Sequence, residues 1–205
     1  MKDLEYFMDF KKFYFLFIAL AFASCSPKNQ GIKAIYPEKI AKLDGRHAVF
    51  LNNKNMKITK NIKSEDCESW RFNAPNDDLL YDSYYKLLTD MFSEVEFLDK
   101  KLTKDEIEER NFKSLIEFNE IVSVANFITE RNTGKFQIQF TSSILVKSND
   151  KKVKNFVKSE QKWQKNIYLN CHLHDGGTRA SEEALKVLLQ QSHENIYESV
   201  YNVTR

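Results

Sequence analysis

One stretch of the chain admits very few folds. In residues 135–147, Phe136, Ile138, Phe140, Ile144 and Val146 all fall on even positions. Lys135, Gln137, Gln139, Thr141, Ser143 and Lys147 fall on odd ones, and Leu145 is the clear exception. An α-helix cannot sort side chains with a period of two; a strand with one buried face does so automatically. Asn132-Thr133-Gly134 supplies a turn before this strand and Ser148-Asn149-Asp150 a turn after it. Upstream, Leu115 to Ile128 is rich in β-formers, and downstream, Val153 to Leu169 reads as a more polar strand containing Trp163. Together they predict a long antiparallel meander.

A sheet with one apolar face requires a cover. Leu80, Tyr84, Leu87, Leu88 and Met91 recur at three- and four-residue spacing, which predicts a helix over Asp77 to Phe92. Asn76 is placed to cap it, and Asp77 and Asp78 suit its positive end. A second long helix is expected from Ser181 to about Asn202, with Leu185, Leu188, Leu189, Ile196 and Val200 on its apolar side. Asp175-Gly176-Gly177 is read as a break before that helix. Shorter elements are a strand at His47–Leu51 ending in Asn52-Asn53, one or two strands within 55–73, a strand at Val95–Leu98, and a charged helix from Lys104 to Arg110 capped by Thr103. The expected fold class is α+β: an antiparallel β-meander sheet with two main helices packed on one face, in two layers. With 205 residues, 42% of them hydrophobic, the chain is long enough for one such core over residues 45–205.

The start of the chain has a different character. Lys11 and Lys12 precede an apolar run from Phe13 to Ala23, followed by Ser24-Cys25. Eleven apolar residues are too few to cross a bilayer, which takes about 20. Basic residues, a short apolar run and small residues before a cleavage point are the parts of a secretory signal. Phe22-Ala23-Ser24-Cys25 resembles the lipobox of bacterial lipoproteins, with Phe22 where that family usually has Leu. The resemblance covers only the signal. It implies that residues 1–24 are removed and that Cys25 carries covalent lipid, the only attached group expected. With Ser26 after the cysteine, it implies placement on the outer membrane facing the periplasm, the inner membrane being the alternative. Residues 1–12 carry three basic and three acidic residues, whereas a start at Met8 leaves this region positive, so Met8 is the expected initiator. Residues 25–44, with Pro27, Gly31, Pro37 and four lysines, read as the lipidated N-terminus and a flexible tether.

Several chemistries are excluded by residue type and spacing. The five glycines, at 31, 45, 134, 176 and 177, form neither a dinucleotide-binding fingerprint nor a phosphate loop. The four histidines contain no H-E-x-x-H pair, and no G-x-S-x-G elbow is present. A net charge of +2 speaks against nucleic acid as a partner. Cys67 and Cys171 are candidates for a disulfide in an oxidising compartment, one that would remove about 4.7 kcal/mol of unfolded-chain entropy; two buried free thiols are the alternative. Cys171-His172-Leu173-His174 is not expected to hold a metal: on a strand only His172 and His174 share a face, and a structural zinc takes about four ligands. The leading expectation is a membrane-anchored periplasmic lipoprotein acting as a non-catalytic accessory or assembly subunit of an envelope complex. Its order of elements is similar to that of small assembly lipoproteins of the outer membrane, though no residue motif is shared. The alternatives are a lipoprotein that binds a lipid or small molecule, and an envelope hydrolase using His172, His174 or Asp175.

Overall fold

A computed structural model describes residues 42–63, 75–130, 133–166 and 174–205. In chain order the elements are β1 (Leu43–Phe50), a 3-10 turn (Asn53–Asn55), β2 (Met56–Lys63), α1 (Asp77–Met91), β3 (Phe92–Phe97), α2 (Lys104–Glu109), β4 (Ser114–Glu130), β5 (Thr133–Ser148), β6 (Lys151–Asn166) and α3 (His174–Thr204). The fold is α+β, with six strands in one sheet of order β3-β1-β4-β5-β6 and β2 also paired to β4.

The meander is present: β4–β5 and β5–β6 are antiparallel over nearly their whole lengths. The sheet as a whole is mixed, which corrects the antiparallel expectation. β1 runs parallel to both β3 and β4, and β2 runs parallel to β4. The reason lies in the length of β4. Its first residues, Ser114–Glu117, pair with His47–Phe50, and Ile121–Ile128 pair with Met56–Lys63. β1 and β2 therefore follow one another along a single edge of β4, with the 3-10 turn between them. Asn55 Nδ2 secures that turn by donating to the Phe118 carbonyl at 3.0 Å.

A β-bulge in β4 falls at the same place. Phe118 pairs with Ile144 and Glu120 with Ser143, leaving Asn119 as the extra residue. Before it, Ile116 and Phe118 face the main core; after it, Ile121, Ala125 and Phe127 do. The buried set thus switches from even to odd numbers within one strand. β5 has no such interruption, and its even positions are buried from Gly134 to Val146.

The helices are not confined to one face, a second correction. α1 (Leu80, Tyr84, Leu87, Leu88, Met91) and α3 (Ala184, Leu185, Leu188, Leu189, Ile196, Val200) join the main cluster with Phe136, Ile138, Phe140 and Ile144 of β5. The Tyr84 hydroxyl lies 3.0 Å from Ser192 Oγ, linking α1 to α3, and burial pushes its pKa up to about 12. α2 belongs to a separate cluster, in which Ile107 packs with Ala48, Leu98, Leu102, Phe112 and Leu115. Ala48 and Leu115 are sequence neighbours of Val49 and Ile116, which face the main core, so α2 lies over the opposite side of the sheet.

Local signals explain most element ends. Asn76 caps α1, its side chain accepting from the Leu79 N–H. Thr103 and Glu106 form a capping box on α2, and the bond from the Thr103 N–H holds the Glu106 carboxyl down at about 2. The exception is α3, which begins at His174, seven residues before the expected start at Ser181. Gly176 and Gly177 lie inside it and do not break it. A Cβ at Gly176 would stand 2.3 Å from the Trp163 ring, so glycine there lets the helix pass over that indole without displacing it. Ser181 is buried and its hydroxyl donates to the Gly177 carbonyl one turn back.

Candidate functional site

Cys25, Cys67, Cys171 and His172 lie outside the described residues, so the lipid-attachment and disulfide expectations fall there as well. His174 and Asp175 are the first two residues of α3. The expectation that His174 continues a strand is therefore corrected, and with it the shared strand face on which the His172–His174 pair was judged. Among the described residues no three His, Cys, Asp or Glu side chains gather as a metal site, and no helix is long and apolar enough to cross a membrane.

Two polar clusters are built into the sheet. The first is His47 on β1, buried against the Phe92 ring at 4.5 Å. Its Nε2 lies 3.3 Å from the Asp44 carbonyl, which can only accept, so the neutral ring carries its proton there. Nδ1 is then free to accept from the Ser114 hydroxyl at 2.8 Å. Burial lowers the His47 pKa below 6.5; the Asp44 carbonyl opposes this and Lys113 adds to it. A hydroxyl bonded to a neutral imidazole is the arrangement that activates serine nucleophiles. Here Ser114 is fully buried, so its oxygen meets no substrate in this conformation, and the pair joins β1 to β4 instead. A depression of about 340 Å³ beside it is lined by Asp44, His47, Lys113 and Tyr201 among others.

The second cluster is Glu117 on β4. Its carboxylate is almost completely buried, with Lys101 Nζ at 3.1 Å and Lys147 Nζ in direct contact on the other oxygen. A buried carboxylate is costly unless paired, and two lysines satisfy this one.

Beyond Glu117 the outward side of the sheet is open. The registers place Glu117, Leu145 and Lys154 in one row across β4, β5 and β6, with Ser143 and Phe156 in the next. Along β6 the outward residues are Lys152, Lys154, Phe156, Lys158, Glu160 and Lys162, and all but Glu160 are exposed. Phe156 is 69% exposed, the most exposed large apolar residue described. Glu160 sits between Lys162 at 2.9 Å and Lys158 at 3.5 Å, and its bond to Lys162 lowers its pKa. Lys104 reaches Asp150 at the β5–β6 turn, 2.5 Å away. Lys152 and Lys154 form no ion pair among the described residues. A basic surface with one protruding aromatic ring is thus left around the start of β6.

No protein-family model matches this chain, and no curated protein does. Solved structures resemble it in part. A homolog of the neuraminyllactose-binding hemagglutinin from Helicobacter pylori, so named, is 12% identical, with a TM-score of 0.37 over 86% of this chain and 96% of that one. A hypothetical protein from Chlamydia trachomatis is 7% identical, with a TM-score of 0.35 over 77% of this chain and 99% of the other. An uncharacterized protein is 11% identical, with a TM-score of 0.26 over 84% and 98%.

Sequence reasoning missed both polar clusters and the open face. His47 sits in an apolar run and could be considered only as a distant contributor to a metal site at His172 and His174, with no local sign of the Ser114 hydroxyl it meets. Glu117 carries no local sign that two lysines close over it. The alternation Lys152, Lys154, Phe156, Lys158 was visible, but only the sheet registers tell which side is outward.

Proposed function

We propose that this chain is a lipid-anchored envelope protein whose α+β domain acts by binding, as an accessory or assembly subunit, rather than by catalysis. The observation that carries the reading is the order Lys11-Lys12, an apolar run of eleven residues, then Ala23-Ser24-Cys25. A thiol at that point carrying several acyl chains exceeds what stable membrane attachment requires. The geometry supports a binding role in two ways. Both polar clusters in the sheet are closed by their own partners, Ser114 on His47 and two lysines on Glu117. The exposed chemistry is a broad sheet face, a shape suited to docking on a surface.

The test is metabolic labelling with palmitate in a bacterial host, followed by purification from gently solubilised membranes. Label is expected on the wild-type chain and absent from the Cys25→Ala variant, and a stoichiometric envelope protein is expected to co-purify. An unlabelled wild-type chain recovered in the soluble fraction would overturn the anchor. A labelled chain recovered alone would overturn the accessory role while leaving the anchor intact.

A further inference from the structure

We infer that the outward face at the start of β6 docks on a membrane surface rich in anionic lipid headgroups, with Phe156 inserting between them. The inference rests on the anchored reading for bringing a membrane within reach.

Four side chains carry it. Lys152, Lys154, Phe156 and Lys158 alternate on one face of β6 and are all exposed. Lys152 and Lys154 have no ionic partner among the described residues, and Lys158 shares Glu160 with Lys162. Nearby carboxylates do not cancel this charge: Glu117 is held by Lys101 and Lys147, and Asp150 by Lys104. Lysine on an outer strand has a simpler use, since it discourages edge-to-edge pairing with another chain. That use accounts for the lysines and leaves Phe156 unexplained, because an exposed aromatic ring on an edge strand invites association.

The composition of the patch decides between a membrane and a protein partner. Protein interfaces are depleted in Lys and enriched in Arg and in clustered aromatic residues. The cations of this patch are all lysines, spaced along β6 around a single ring, with Glu160 the one carboxylate among them. Cationic side chains around an apolar one are what an interfacial lipid contact uses, with headgroup phosphates outside and acyl chains just below. Each lysine near an anionic bilayer contributes about 1 kcal/mol, or about a fivefold gain in partition. Three lysines then contribute about 100-fold, and insertion of the ring about tenfold more.

The experiment uses the full chain carrying Cys25→Ser, so that no acyl anchor contributes. Sedimentation measures its partition onto vesicles of phosphatidylcholine alone and of phosphatidylcholine mixed with phosphatidylglycerol. Binding is expected on the mixed vesicles, weakening as salt is raised. The triple variant Lys152→Gln, Lys154→Gln, Lys158→Gln is expected to lose about 100-fold, and Phe156→Ser about tenfold, at unchanged thermal midpoint because all four side chains are exposed. The apolar segment 13–23 is common to every protein compared, so the differences between variants and between vesicles, not the absolute partition, report on the face. Equal partition on the two kinds of vesicle, or unchanged partition of the triple variant, overturns the inference. A lysine-dependent complex with a soluble acidic protein, without preference for anionic vesicles, also overturns it and assigns the face to a protein partner. Palmitate labelling of Cys25 reports on the anchor separately, so either reading can fail alone.

Discussion

Gly176 and Gly177 are consecutive helical residues with different surroundings. A methyl group at Gly176 would meet the Trp163 ring at 2.3 Å, whereas one at Gly177 would touch Phe136 at 3.8 Å, an ordinary contact. Alanine favours a helix over glycine by about 1 kcal/mol. Gly177→Ala is therefore expected to stabilise the protein by up to about 1 kcal/mol, and Gly176→Ala to destabilise it by about 1–3 kcal/mol because the indole must move. Urea denaturation of the two variants checks the sign of each. His47 sets a different dependence. Burial lowers its pKa from 6.5, and burial lowers that of His193 as well, against a smaller opposing effect of Glu194. The unfolded chain thus takes up protons at these rings before the folded chain does, and stability is lost as pH falls through 6.5. The thermal midpoint is expected to fall between about pH 7 and pH 5, where carboxylates contribute little. In the double variant His47→Gln, His193→Gln that fall is expected to be shallower, whatever the absolute midpoint.

At the scale of the element, the bulge at Asn119 governs what β4 reveals. Removing Asn119 would leave Phe118 inward, Glu120 outward and Ile121 inward, an unbroken alternation matched to β5. The losses are the Lys101 bond to the Asn119 side chain, at 2.9 Å, and strain on the Asn55 bond to Phe118. Deleting Asn119 is expected to cost about 2 kcal/mol. Deleting Val124 instead would turn Asn126 and Ile128 inward and Ala125 and Phe127 outward, and that chain is expected not to fold, as circular dichroism would show. The same bulge explains why β5 was legible residue by residue and β4 only as a β-rich stretch: β5 keeps one parity from end to end, β4 changes it midway. α1 and its Asn76 cap were legible because the stripe and the cap are both local. The start of α3 was not, because Gly-Gly is a breaker by intrinsic propensity and only the Trp163 ring on the preceding strand makes it a crossing point.

For the whole molecule, the meander and the α+β class were readable, and the mixed sheet was not. Alternation within a strand reports which side is buried and carries no information about which distant strand lies beside it. β1 pairs with residues on β3 and β4, and the His47–Ser114 bond alone spans 67 positions. The candidate face was hidden for the same reason: its lysines alternate visibly, but α2 covering one part of the outward side and leaving β6 bare is a tertiary fact. The parallel pairings also set a timetable. Both neighbours of β1 are C-terminal to it, and β2 waits for Ile121–Ile128. At about 5–20 residues per second, the 67 positions from His47 to Ser114 take about 3–13 s to synthesise. β3 reaches β1 sooner, since His47 pairs with Val95, but until then Ala48-Val49-Phe50-Leu51, buried in the folded chain, has no described strand to pair with. β1 is therefore made well before either strand that flanks it, and one of its edges stays open until β4 is available.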